Sequence, residues 1–266
     1  MTISLPVNNT DVPEEYVGAW RRRSETELGL WLQTHRLHAS LTIPLDRPDF
    51  TGRRTWSDFS DAELLLLAKQ RGVSGACIAQ GDLLHRRRQI DYLPRRGDPF
   101  LIRMQREGAL LRQESLDGGN PVVWELLPDG SGETYALRFQ DAGIGADSDD
   151  QRRGYLLVVG RYFMFVRDRS GATPRAESLA TLIELKEPTR AQTIELLDFE
   201  ISFGERTDDK SPWHIKHSTI PYREGLPLMD DATLAQIIAQ AQQPRRVRWD
   251  GKQYLRYWSP DEQPAD

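Results

Sequence analysis

The sequence predicts an all-β protein with two short helices, an antiparallel β-barrel fold organised as two packed barrel-like units. Three observations carry this. Short strand-forming runs are separated by Gly- and Asp-containing turns at hairpin spacing, with no helices between them. Within residues 38–43, Ala39, Leu41 and Ile43 alternate with His38, Ser40 and Thr42, the period-2 pattern of a half-buried strand. The runs 155–159 and 162–166 are apolar on both faces, whereas a barrel strand with a solvated outside alternates. A second β unit or the helices must therefore cover this hairpin.

In chain order, residues 1–12 read as a loose arm. Gly18-Ala19-Trp20 precedes the first long strands, and a Gly-x-Trp there suggests a lipocalin-like barrel whose Trp closes one end, with Ala39, Leu41 and Ile43 lining the inside. Residues 45–59 carry Pro48, Gly52 and charges, and read as an irregular connection. Ser60 stands three residues before Glu63, a capping box, and Leu64, Leu67 and Ala68 follow at helical spacing. With Gly72 as the stop, the helix spans 61–71.

Hairpins follow: 73–80 with 83–92, 100–106 with 109–115, and 122–127 with 134–139, each turning at glycines. Residues 141–153 read as an acidic loop. The hairpin 155–166 turns at Gly160-Arg161, residues 176–185 fit a strand or short helix, and 193–203 fit a strand pair or one bulged strand. A polar loop over 204–211 leads to a strand at 213–220. Asp230 or Asp231 caps a second helix, 231–243, ended by Pro244. Asp250-Gly251 joins a last hairpin, and the tail beyond Pro260 reads as disordered. The division expected is 1–117, an N-terminal barrel with the first helix, and 118–266, a C-terminal barrel-like domain with the second.

Over 266 residues, 38% hydrophobic and 28% charged content describe an ordinary globular chain, long enough to bury a substantial core. Net charge −5 and a pI near 5.7 count against nucleic acid as a partner. The triplets Arg21–Arg23 and Arg86–Arg88 make no single patch, because consecutive strand residues point to opposite faces. Cys77 is the one cysteine, which fits a reducing compartment. No basic stretch followed by an apolar core marks a signal peptide, and runs such as 64–68 are far too short to span a membrane. The expectation is a cytoplasmic protein without a membrane partner.

Signals for catalysis and metals are missing. His35 and His38 are three apart, as are His214 and His217, and such strand pairs face opposite ways. The chain has no phosphate-binding glycine motif and no Gly-x-Ser-x-Gly elbow. Asp91, Glu114, Glu125 and Glu200 read as solvated or arginine-paired strand carboxylates. Aromatic residues are the informative resource. Trp20, Trp31, Trp124 and Tyr162 suit the walls of a ligand cavity, with His38, His85, His217 and Arg223 as its polar contacts. No cofactor is expected, although a haem held by one histidine leaves no sequence signature and stays open, with His85 or His217 as its axial ligand.

Several stretches together resemble one family. They are residues 18–22, 31–34 with 41–44, 90–94, 200–204, and 213–215 followed by 218–221 and 223–225. The chain resembles the yeast Hri proteins and looks like a bacterial relative of that lipocalin-like β-barrel group. The resemblance implies two barrel-like units over roughly residues 12–228 and supplies no catalytic residue. His85 departs from it, standing where the pattern has an aromatic residue. The function expected is binding of a small apolar or aromatic molecule. Two alternatives stand beside it. One is a small barrel enzyme (isomerase, dehydratase or haem protein) using His85 or His217 with Glu114 or Asp91. The other is a protein-interaction module presenting the hairpin 155–166, and a homodimer is left open.

Overall fold

The structure, a computed structural model, describes residues 11–94, 100–116, 118–207 and 212–262. Nine strands make the first sheet: β1 (Gly18–Arg23), β2 (Glu27–Gln33), β3 (Leu37–Pro44), β4 (Arg71–Gln80), β5 (Leu83–Arg86), β6 (Ile90–Asp91), β7 (Phe100–Glu107), β8 (Leu110–Ser115) and β9 (Val122–Leu126). All but β6 follow one another as an antiparallel meander, and β9 returns to pair with β1, Trp20 opposite Leu126. This closes an eight-stranded barrel, and closure removes the exposed edges that an open sheet would leave.

The second sheet is curled but open. It comprises β10 (Thr134–Gly143), β11 (Gln151–Val159), β12 (Tyr162–Arg167), β13 (Glu200–Glu205), β14 (His214–Ser218), β15 (Pro244–Trp249) and β16 (Lys252–Glu262). Its order is β14-β13-β12-β11-β10-β16-β15. Four helices are added: α1 (Asp61–Leu67), α2 (Leu179–Lys186), α3 (Arg190–Leu197) and α4 (Asp231–Ala239). The expected capping box of α1 forms, with the Glu63 amide donating to Ser60 Oγ and the Ser60 amide to Glu63 Oε2. At the last hairpin Asp250 and Gly251 both take positive φ, 44° and 79°, as a two-residue turn between twisted strands requires.

The two-sided apolar hairpin is covered on both sides, as its composition demands. Leu156, Val158, Phe163 and Phe165 pack with Trp213, Trp258 and the Leu234–Ile237 stripe of α4. Tyr155, Leu157, Val159, Tyr162, Met164 and Val166 face the other way, into a core shared with the first barrel. Leu28, Leu30, Leu32, Leu37, Ala39, Leu41 and Ile43 supply the barrel's side of that core. The expected interior is therefore inverted. Ala39, Leu41 and Ile43 are on the outside of the barrel against the second sheet, and His38 and Ser40, in register with Gly75 and Val73, face the lumen. Gly72 lies on the same outer face, where a Cβ would come 2.8 Å from Ile201 Cδ1 of β13.

Other elements differ in instructive ways. The first helix ends at Leu67 and Arg71 already belongs to β4, so Gly72 is a packing glycine and not a helix stop. Strands 122–126 and 134–143 form no hairpin: β9 closes the first barrel, beyond the division expected at 117, and β10 starts the second sheet. Residues 179–186 are helical. Residues 193–203 divide between α3, whose capping box joins Thr189 and Gln192, and β13. The second helix stops at Ala239, and β16 continues through Pro260 to Glu262, because its last residues pair with β10. Most of the expected N-terminal arm, the loop residues 208–211 and the tail 263–266 lie outside the described residues.

Candidate functional site

Four of the eight residues expected at a ligand site meet in the lumen of the first barrel. Trp20 on β1, Trp31 on β2 and Trp124 on β9 point inward, with ring centroids 6.1 Å apart for Trp20–Trp31 and 5.3 Å for Trp31–Trp124. Cys77, Ala79, Leu84, Ile102, Met104 and Leu111 complete the apolar lining. His38 of β3 joins them, fully buried. The rings are in mutual contact, so the lumen is largely filled by the side chains that line it.

The sequence reading missed the charge placed among these rings. Arg86 lies opposite Cys77 across the β4–β5 register and is 5% exposed. Its guanidinium carbon sits 4.2 Å over the Trp31 ring. Its Nε and Nη2 have no hydrogen-bond partner, and it makes no ion pair among the described residues. The titratable groups around it are Cys77, Arg88 and His38, and burial with the Arg88 charge lowers its pKa to about 10, still protonated at neutral pH. The Arg86–Arg88 triplet does not run along one strand, as the alternation expected from sequence requires, because β5 ends at Arg86. Arg86 itself points into the barrel.

Neighbouring polar groups are also unpaired. Neither ring nitrogen of His38 has a hydrogen-bond partner, nor do Gln33 Oε1 and Trp31 Nε1. Gln33 Nε2 donates to the carbonyls of Thr34 and Leu37, at 2.8 and 3.1 Å. Burial, then the Arg86 and Arg88 charges, hold His38 well below its ordinary pKa, with only the Arg87 backbone pulling the other way. His38 is thus a neutral imidazole, able to donate from one nitrogen. Burial also raises the Cys77 pKa against the pull of Arg86, which leaves an unactivated thiol.

Gly75 sets the path of the chain here. A Cβ on it would come 2.0 Å from the Arg87 carbonyl oxygen, and the Arg87 and Gln89 amides donate to Ala76 and Ser74 of the same strand. Residues 86–89 are thereby folded tightly across β4. Arg88 stacks 4.9 Å over Phe100, itself packed against the lumen cluster. It also lines an external cleft of about 460 Å³ with Gln89, Asp91, Arg153, Asp168 and Arg169.

The remaining expected residues are elsewhere. His85, opposite Ile78 and Leu101, points away from the lumen on the same strand as Arg86. Tyr162 belongs to the core between the sheets, donating to the Pro128 carbonyl and stacking on Phe203. His217 lies across from Phe203, where burial and the charges of Arg47 and Lys216 lower its pKa to about 4. Arg223 joins a buried charge network in the second unit, donating from Nε to Glu200 Oε1 at 3.2 Å.

In that network each arginine has a carboxylate partner, although Arg167 Nε and Nη1 and Glu200 Oε2 lack a hydrogen-bond partner. Asp198 accepts from Arg152 at 2.6 Å, Arg167 at 2.7 Å and Trp249 Nε1 at 3.1 Å. Glu200 accepts from Ser202 Oγ at 2.7 Å, and Arg167 Nε lies 3.7 Å from its Oε2. Burial would raise the Asp198 pKa, but Arg167 and Arg152 pull it far below the ordinary carboxylate range. The other strand carboxylates singled out from the sequence are also arginine-paired: Glu125 with Arg21, Glu114 with Arg112, Asp91 with Arg88. No group of three or more His, Cys, Asp or Glu side chains suited to a metal occurs among the described residues.

No protein-family model matches the chain, and no curated protein matches it. Among solved structures it is similar to an uncharacterized protein of Saccharomyces cerevisiae, YLR301w, with a TM-score of 0.46 and 11% identity over 94% of this chain and 100% of that one.

Proposed function

We propose that this protein is a non-catalytic, lipocalin-like binder of a small molecule, and that the lumen of its first barrel is the binding site. The observation that carries the reading is the convergence of Trp20, Trp31, Trp124 and His38 inside one closed antiparallel barrel. Antiparallel barrels of eight strands have an interior that holds either packed side chains or one small ligand. Because the rings already touch, an occupant enters by displacing a lining side chain. No helix among the described residues is long and apolar enough to cross a membrane. The reading places the protein in the cytoplasm, as a relative of the yeast Hri group.

Titrating tryptophan emission with benzamide and benzyl alcohol tests this, together with native mass spectrometry of freshly purified protein. Saturable quenching that disappears in Trp31→Phe, or a co-purifying small mass, supports the proposal. Unchanged emission across aromatic and aliphatic single-ring compounds, with no added mass, removes it. The interaction-module reading loses its main support, since the 155–166 hairpin is covered within the chain.

A further inference from the structure

We infer that the ligand of the first barrel carries a carboxylate, held side-on by Arg86 in the lumen. The inference rests on the binding reading above and adds the chemical class of the ligand.

Burying a charge without a partner is among the most expensive things a fold can do, and buried arginines are nearly always ion-paired. Other buried or half-buried arginines of this chain have a carboxylate against them. Arg167 and Arg152 share Asp198, and Arg256 holds Asp141. Arg169, which lacks a carboxylate contact of that kind, donates to the carbonyls of Asp91, Tyr92 and Leu196. Arg86 has neither solution, being without a hydrogen-bond partner at Nε and Nη2.

Which atoms are free identifies the partner. Nε and Nη2 form the side edge of the guanidinium fork, whose two parallel N–H bonds match the two oxygens of a carboxylate. Arg256 shows that pairing within the same molecule, with Nε donating to Asp141 Oδ1 and Nη2 to Oδ2, both at 2.7 Å. Arg86 leaves the same edge unpartnered, with no protein carboxylate against it. Around it are further donors suited to an anion: Trp31 Nε1 and a neutral His38, both buried and unpartnered. Trp31, stacked on the guanidinium, gives an aromatic body a face to lie against. Arg88 extends positive charge from this cluster to the external cleft.

The test compares benzoate with benzamide, a neutral isostere, on the full chain. Tryptophan emission gives affinities, and the Arg86 Nε–H resonance reports contact directly. Benzoate is expected to bind at least about tenfold more tightly than benzamide and to shift the Nε–H resonance, which benzamide leaves in place. In Arg86→Met the preference is expected to vanish while benzamide affinity is retained, and in Arg86→Lys the preference is reduced but present. Equal binding of the two compounds, or a benzoate preference that survives Arg86→Met, overturns the carboxylate inference and leaves the binding reading standing. Binding of neither compound, with no co-purifying small mass, removes both. Should Arg86→Met not fold, Arg86→Lys and the parent's own resonance decide.

Discussion

Both units of this protein bury arginine, but they balance its charge differently. In the second unit, Arg167 is 1% exposed and Glu200 fully buried, and with Arg152, Asp198 and Arg223 they form a network in which each arginine has a carboxylate. In the first unit, Arg86 lies in a tryptophan-lined lumen with no carboxylate in contact. A network in which each arginine finds its carboxylate within the chain holds a fold together. A charge left uncompensated in a core is a constraint that structure alone does not explain, and such groups concentrate where ligands bind.

Mutation should separate the two cases by sign. Asp198→Asn leaves two buried guanidinium groups without their shared partner, and a loss of about 3–5 kcal/mol in urea unfolding is expected. The stability that Asp198 contributes is present above the unfolded carboxylate pKa and disappears as pH falls toward its depressed folded value. Arg86→Met should do the reverse, raising the stability of the unliganded protein by about 1–2 kcal/mol, because removing an unpaired buried charge outweighs the lost stacking on Trp31. An unliganded Arg86→Met protein clearly weaker than the parent would break the contrast.

A pH series sharpens it further. His217 titrates near 4 in the fold against about 6.5 when unfolded, so the unfolded chain takes up the proton first. Its contribution is whole above about pH 7, declines as pH drops below 6.5 and levels off near 4. Replacing it by Gln should recover at most about 2 kcal/mol at pH 5 and nothing at pH 8, read from urea midpoints. The smallest effect is at the surface. Glu125→Gln breaks only the exposed pair with Arg21 and should change stability by less than about 0.5 kcal/mol.

The strands were legible because alternation and turn chemistry are local. The Asp250-Gly251 turn and the Ser60/Glu63 capping box formed where they were read. Facing was not legible. Alternation at 38–43 divides side chains between two faces, and in a unit buried on both sides it does not say which face is the lumen. The apolar set went to the neighbouring sheet and the polar set inward. The same ambiguity hid Arg86, whose inward direction follows only from its register with Cys77. Residues 122–139 looked like a hairpin because a Pro-Asp-Gly turn suits one, yet β9 pairs with β8 and β1, and β10 with β11 and β16. Helix α3 has little amphipathic pattern, and its Thr189–Gln192 cap was the one local signal available.

The placing of β16 between β10 and β15 has a consequence for how the chain is made. Strand β1 finds its closing partner once β9 has been synthesised, so the first barrel can complete itself while the second sheet is still emerging. Strand β10 must wait for residues 252–262, with its backbone edge open in the meantime. The outward leucines of β2 and β3 wait as well, since the sheet that covers them is unfinished. A ribosome-bound or C-terminally truncated chain would therefore carry a closed barrel with a bare apolar flank beside an unpaired strand, the form most exposed to aggregation.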